Sequence, residues 1–336
     1  MRHAHRPIRS LILSLLLAVC LSSGGLAQEP PQAPGIEWEE WVLSRVVDGD
    51  TIEVVHPVDG TEEQVRLICV DTEEKGAYGT SETKPKTAFG VYTAGWAAGW
   101  FEPLEGEPAP PTVHLGFETG GERRGIYGRL LAHVWYRDEN FNLKLVREGW
   151  SPYFNKYGNS RVFHEEFVEA QQVAREQQLG VWDPARQDEG ATRPYELLVP
   201  WWELRARVID EFRAYDEEHP DEVLDIRTDL EKIRERCEAG EELVVFGAVS
   251  NVRTVGRNNL WIEFGTPDDE RFIVFVPVST RDLLEESCLD EVTEEFGRGY
   301  AYFQGTGTMY HDIAEIVFED PSQISLTWPP GEERTE

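Results

Sequence analysis

Three separated stretches carry side chains whose types and order could do chemistry. The first is Asp48-Gly49-Asp50-Thr51. The second runs from Arg66 to Glu74 (RLICVDTEE), with an arginine inside an apolar strand and acids where that strand stops. The third is Tyr127-Gly128-Arg129-Leu130-Leu131-Ala132, a turn that launches an apolar strand with arginine at its start. Carboxylates can hold a hard cation, and guanidinium forks grip anionic oxygens. Taken singly, each stretch has an ordinary explanation. Asp-Gly before a β-branched run is turn chemistry, Arg66 would suit an ion-paired edge, and the acids a solvated turn. Their joint use depends on the elements that position them.

Those elements are legible from periodicity. WVLSRVV, a turn at Asp48-Gly49-Asp50 and TIEVV read as two strands, and residues 64–70 (QVRLICV) as a third. A helix is expected over residues 80–100, then an acidic, Pro-rich loop over 102–111, then strands over 112–117 and 129–136 joined by a Gly-rich basic turn. Helical spacing returns over 143–149. It is clearer from Ser160 to Gly180, where Phe163, Phe167, Ala170 and Ala174 share one face. The order predicts a small barrel with helices at its ends, over residues 41–184. Residues 185–243 read as an acidic helical linker. Residues 244–326 return to five strands with a helix between the third and fourth, the element order of an OB-type barrel. The fold class is therefore α+β, mainly β with helices.

In order and spacing, VVDGDT (46–51), RLICVDTEE (66–74), YGR (127–129) and LGVW (179–182) resemble the staphylococcal (micrococcal) nuclease family, the thermonucleases. The resemblance covers a little under half the chain. It implies an OB-type barrel, Ca2+ as cofactor, and cleavage of phosphodiesters in DNA and RNA to leave 3′-phosphates. It assigns Asp50 and Asp71 as metal carboxylates and Thr72 as a carbonyl donor. Arg66, Glu74 and Arg129 fall on the catalytic trio, Tyr127 on a phosphate-contacting tyrosine, and Tyr157 on a base-stacking one.

The chemistry is coherent with those assignments. Ca2+ takes several oxygens, Glu74 would serve as general base, and two arginines would stabilise charge on the phosphate. Arg66 and Asp71 are five residues apart, so an ideal strand would send them to opposite faces. The strand must therefore end, twist or bulge near Val70. Two departures stand out. Glu73 occupies the place of the family's usual proline, which would loosen the loop and set two adjacent glutamates as candidate bases. Asn155 fills the second stacking slot. An alternative from another class is a non-catalytic, nuclease-like binding protein, although such modules typically lose the charged residues present here.

Composition limits the rest. The 336 residues hold 32 Lys+Arg against 63 Asp+Glu, a formal net charge of −31, so no general electrostatic grip on nucleic acid is available. The segment 185–336 has 15 Lys+Arg and 36 Asp+Glu. Nucleic-acid contact there would need one selectively basic face, for which Arg253, Arg257, Trp261, Phe275 and Tyr302 are candidates; partner docking is the other reading. Residues 1–27 read as a signal peptide, with Arg2, Arg6 and Arg9 before an apolar run and a small-residue cleavage site. This predicts an exported protein without a transmembrane segment. Cys20 would suit lipoprotein anchoring, but the bulky Val19 before it argues against that. Residues 28–40 read as a flexible tether and 327–336 as a tail. Cys237 and Cys288 are the one pair worth testing for a disulfide, with buried thiols as the plainer reading. The eight histidines show no paired metal-ligand spacing.

Overall fold

The computed structural model describes residues 30–76, 84–188, 192–266, 271–293 and 298–330. The expected signal peptide, Cys20 with it, and the last residues of the tail lie outside that set. Strands β1 (Ile36–Asp48), β2 (Thr51–Val55) and β3 (Glu62–Leu67) form a meander, followed by α1 (Ala88–Phe101), β4 (Thr112–Glu118) and β5 (Leu130–Tyr136). β1 pairs with β2 and β4, β4 with β5, and β5 returns in parallel to β3. That last pairing closes a five-stranded barrel and removes its edges. Residues 36–40, expected in the tether, are instead the first part of β1, paired from Ile36 against Glu118.

Alternation explains the closure. Val113, Leu115 and Phe117 of β4 point inward, as do Val65 and Leu67 of β3. The helix expected from residue 80 is described from Ala88, where the Thr87 side chain caps it by accepting from Gly90 N–H. Its buried face is Phe89, Thr93, Ala97 and Phe101, at helical spacing. After β5 come β6 (Glu139–Asn140), α2 (Phe141–Arg147), α3 (His164–Glu176) and a short α4 (Pro184–Asp188). Phe167, Ala170 and Ala174 of α3 are buried, as the spacing predicted.

The segment expected as a linker has substantial packing of its own. Helix α5 (Tyr195–Glu218) sets Tyr195, Leu198, Val199 and Trp202 against Phe89, Ala174, Val181 and Trp182 of the first barrel's helices. Further along, Val208, Ile209 and Phe212 pack on Phe246, Tyr300 and Tyr302 of the second barrel. Then follow β7 (Leu224–Asp225), α6 (Leu230–Ala239), β8 (Glu242–Val255), β9 (Asn259–Phe264), β10 (Phe272–Val276), α7 (Leu289–Thr293), β11 (Tyr300–Tyr310), β12 (Ile313–Val317) and β13 (Ile324–Ser325). β8-β9-β10-β12-β11 closes through β11 on β8, with β10 and β12 parallel. The two barrels thus share one connectivity. Between β10 and β11 the expected helix is a 3-10 stretch, Arg281–Glu286, followed by α7. Cys237 and Cys288 are both free thiols. Among the described residues no helix is long and apolar enough to cross a membrane.

Candidate active site

The β1–β2 turn and the end of β3 build one pocket. β3 stops at Leu67, and Cys69 adopts a left-handed φ of 63°. This turn supplies the irregularity that the spacing of Arg66 and Asp71 demanded. Arg66 curls into it: Nη1 donates to the Leu67 and Val70 carbonyls, both at 2.9 Å, and Nη2 donates to Asp71 Oδ1 at 2.9 Å. Nη1 also lies 3.2 Å from Asp50 Oδ2. One guanidinium therefore gathers both aspartates. Asp50 Oδ2 also accepts from Thr72 N–H at 2.9 Å and from its hydroxyl at 3.1 Å, which clips the turn to the second segment. Gly49 permits that approach, since a Cβ there would sit 2.8 Å from Thr72 Oγ1 and from Thr93 Cγ2. Beside it, burial pushes the Asp48 carboxyl up to about 6, helped by nearby Asp50 and Glu74.

Glu73 and Glu74, adjacent in sequence, have opposite fates. Glu73 is fully buried, and its Oε1 accepts from Arg193 N–H (3.0 Å), Arg193 Nε (3.2 Å) and the Tyr195 hydroxyl (2.5 Å). It anchors the loop rather than loosening it, and its burial removes it from contention as a base. Glu74 stays part-exposed, and its Oε1 is 2.7 Å from Lys84 Nζ. The Glu74 backbone lies against the first turn of α1, where a Cβ on Gly90 would come within 2.3 Å of the Glu74 carbonyl oxygen.

Asp71 is the electrostatic centre. Lys84 Nζ meets its Oδ1 at 2.7 Å, and Arg193 Nη1 its Oδ2 at 2.8 Å. Burial alone would raise its pKa, but Arg193, Lys84 and Arg66 outweigh that and hold it well below the ordinary carboxylate range. Arg193 Nη2 also donates to the Asp71 carbonyl at 3.0 Å and the Thr72 carbonyl at 3.4 Å. Sequence reasoning missed Lys84, Arg193 and Tyr195. The latter two sit in a polar stretch with no local signal, and the partners of Arg193 are about 120 positions upstream.

Arg129 precedes β5, whose next residue, Leu130, pairs with Val65 beside Arg66. Burial and Arg66 lower its pKa, while Asp50, Tyr127 and Glu74 oppose the shift, so its guanidinium lies within electrostatic reach of all four. It makes no ion pair among the described residues and rests near the exposed Tyr127 ring, 5.8 Å from its centroid. The Tyr157 ring is exposed, with Phe154 edge-on at 5.7 Å. Its hydroxyl is in electrostatic reach of Asp71 and Arg66. Asn155 is buried and donates to Asn159, so it offers no stacking surface. On the second barrel Tyr302 is buried among Phe246 and Trp328 and is not available to a ligand. Arg253 is paired with Glu263 at 2.8 Å.

A sequence model of the family described as Staphylococcal nuclease homologue matches residues 113–184. The chain is 34% identical to a thermonuclease of Staphylococcus intermedius over 180 residues, 52% of this chain and 95% of that protein. It is 33% identical to a thermonuclease of Staphylococcus hyicus over 144 residues, 43% of this chain and 76% of the relative. Endonuclease YhcR of Bacillus subtilis (strain 168) is 31% identical over 164 residues, 47% of this chain but 13% of that protein. With a relative covered almost end to end at this identity, the chain belongs to the staphylococcal nuclease homologue family.

Proposed function

We propose that the protein is an exported, Ca2+-dependent nuclease that hydrolyses phosphodiester bonds of DNA and/or RNA and leaves 3′-phosphates. The observation that carries this is the single guanidinium of Arg66 holding Asp50 and Asp71 in one pocket, with Glu74 joined to Asp71 through Lys84. The donor chemistry fits the ion. Asp50, Asp71 and the Thr72 carbonyl are hard oxygens, and the cations clustered on Asp71 mark a pocket whose carboxylates require positive charge. When bound there, Ca2+ would polarise the scissile phosphate and acidify water.

The chain's own groups do the rest. Glu74, part-exposed at the pocket's mouth, takes the proton of the attacking water as general base. Arg129, which makes no ion pair with a carboxylate among the described residues, grips a phosphate oxygen and stabilises the charge that builds on it. Arg66, fixed by two backbone carbonyls, presents its remaining N–H capacity from a preset direction. Tyr127 and Tyr157 supply exposed rings for the substrate flanks. The test is degradation of DNA and RNA by purified protein with Ca2+ and with chelator, followed by end-group analysis. Cleavage that needs Ca2+ and yields 3′-phosphates is expected. Clean protein that cleaves nothing in Ca2+ refutes the reading.

A further inference from the structure

Among the described residues three cations meet Asp71, and they are not equivalent. The Arg193 side chain is 3% exposed and tied to Glu73 and Tyr195; Arg66 is 14% exposed and tied to the Leu67 and Val70 carbonyls. Lys84 is the most exposed of the three, at 21%, on an unbranched four-carbon stem. Its ammonium lies 2.7 Å from Asp71 Oδ1 and 2.7 Å from Glu74 Oε1. Arg193 holds Asp71 Oδ2, while Oδ1 is shared by Arg66 Nη2 at 2.9 Å and by Lys84, so Lys84 is the one of the three that can withdraw and open Oδ1 to an incoming ion.

We propose that Lys84 is a built-in competitor for the divalent cation, so that metal binding is an exchange in which its ammonium leaves Asp71 and Glu74 as the ion arrives. The inference rests on the calcium reading above and adds a residue that sets the metal affinity. Two ammonium–carboxylate contacts in a mostly desolvated pocket must be given up on exchange. The displaced side chain is the one best placed to reach water. Its departure also uncovers Glu74, so the proposed base becomes available only as the ion enters. Arg66 and Arg193, locked by backbone and buried partners, keep Asp71 in place throughout.

Titration calorimetry with CaCl2 on the full chain tests this, comparing it with Lys84→Met and Lys84→Arg, each checked by thermal melting without metal. Lys84→Met should bind Ca2+ about tenfold to a hundredfold more tightly, and Lys84→Arg should stay near the unaltered chain. Lys84→Gln serves if the methionine variant does not fold. If the unaltered chain binds Ca2+ and removing the ammonium leaves affinity unchanged or weaker, the competitor role is overturned and the calcium site stands. Ca2+ binding that appears only without Lys84 supports the exchange. Heat from neither chain overturns both readings.

Discussion

The bond between Glu73 and Arg193 ties the loop carrying Asp71 and Glu74 to the start of α5, and it can be broken from one side. Arg193→Met keeps the bulk of the side chain and removes the guanidinium. Glu73, fully buried, then keeps only the Tyr195 hydroxyl and the residue 193 backbone N–H, and Asp71 Oδ2 loses its partner. Breaking a buried ion pair from one side costs about 3–5 kcal/mol, because an uncompensated charge remains in low dielectric. At roughly 2–4 °C per kcal/mol for a unit of this size, the melting temperature should fall by about 6–20 °C. Differential scanning calorimetry of the full chain reads this directly. The double variant Glu73→Leu with Arg193→Met replaces both charges by apolar side chains and should recover much of the loss, since buried pairs are often replaceable by hydrophobic residues. A drop of less than ~1 kcal/mol in Arg193→Met would show that the pair does not hold the loop. A double variant as unstable as the single would show that Glu73 is not the stranded group.

Two further outcomes separate chemistry from architecture. Arg129→Ala should lower cleavage by about 10²–10³ with an unchanged melt, since its guanidinium has no ion-pair partner among the described residues, whereas Arg66→Ala should lose activity and melt earlier because it also satisfies the Leu67 and Val70 carbonyls; near-normal cleavage by either variant refutes its role. Glu118 is held down to about 2 against its burial by His133, Ser160 and the Arg161 N–H. A depressed carboxylate contributes stability that is present above its ordinary value near 4.5 and lost as pH falls toward 2, here ~3 kcal/mol; urea unfolding of Glu118→Gln should show a flatter acid limb, and an unchanged limb would refute the assignment.

The outline of the site was readable because its signals are local. An arginine inside QVRLICV and acids at its end are anomalies in a barrel strand, and the five-residue spacing required the break that Cys69 provides. What escaped reading is non-local. Glu73 looked like a loosened loop because the proline's replacement is visible in sequence while its partner is not. Arg193 lies in a stretch whose composition suggests a solvated linker, yet it is 4% exposed because Tyr195, Leu198 and Trp202 beyond it bury against the first barrel. Amphipathic spacing in α5 announces a buried face without saying which body it faces. Lys84 follows a segment without strong periodicity, and nothing in KPK tells a solvated lysine from one aimed at two carboxylates. His133, a lone histidine within a strand, could sit in the core or on the surface by sequence; it is fully buried, 2.9 Å from Glu118.

The two barrels set one backbone plan beside itself within one chain. Both close in the same strand order, both have a parallel third and fifth strand, and both place helical structure between the third and fourth. In the first, the penultimate residue of the third strand is Arg66, and the chain breaks into Asp71 and Glu74. In the second it is Phe275, and the chain continues Val276-Pro277-Val278-Ser279 with no carboxylate to gather. Opposite it on the second strand, Thr51 beside Asp50 is matched by Trp261. The same backbone thus carries a charged pocket at one end of the chain and an apolar turn at the other. The barrel supplies a place where a strand end, a neighbouring turn and a parallel partner meet. What sets the first barrel apart is the four charged side chains there, Asp50, Arg66, Asp71 and Arg129, and the proposed phosphate chemistry rests on them rather than on the topology.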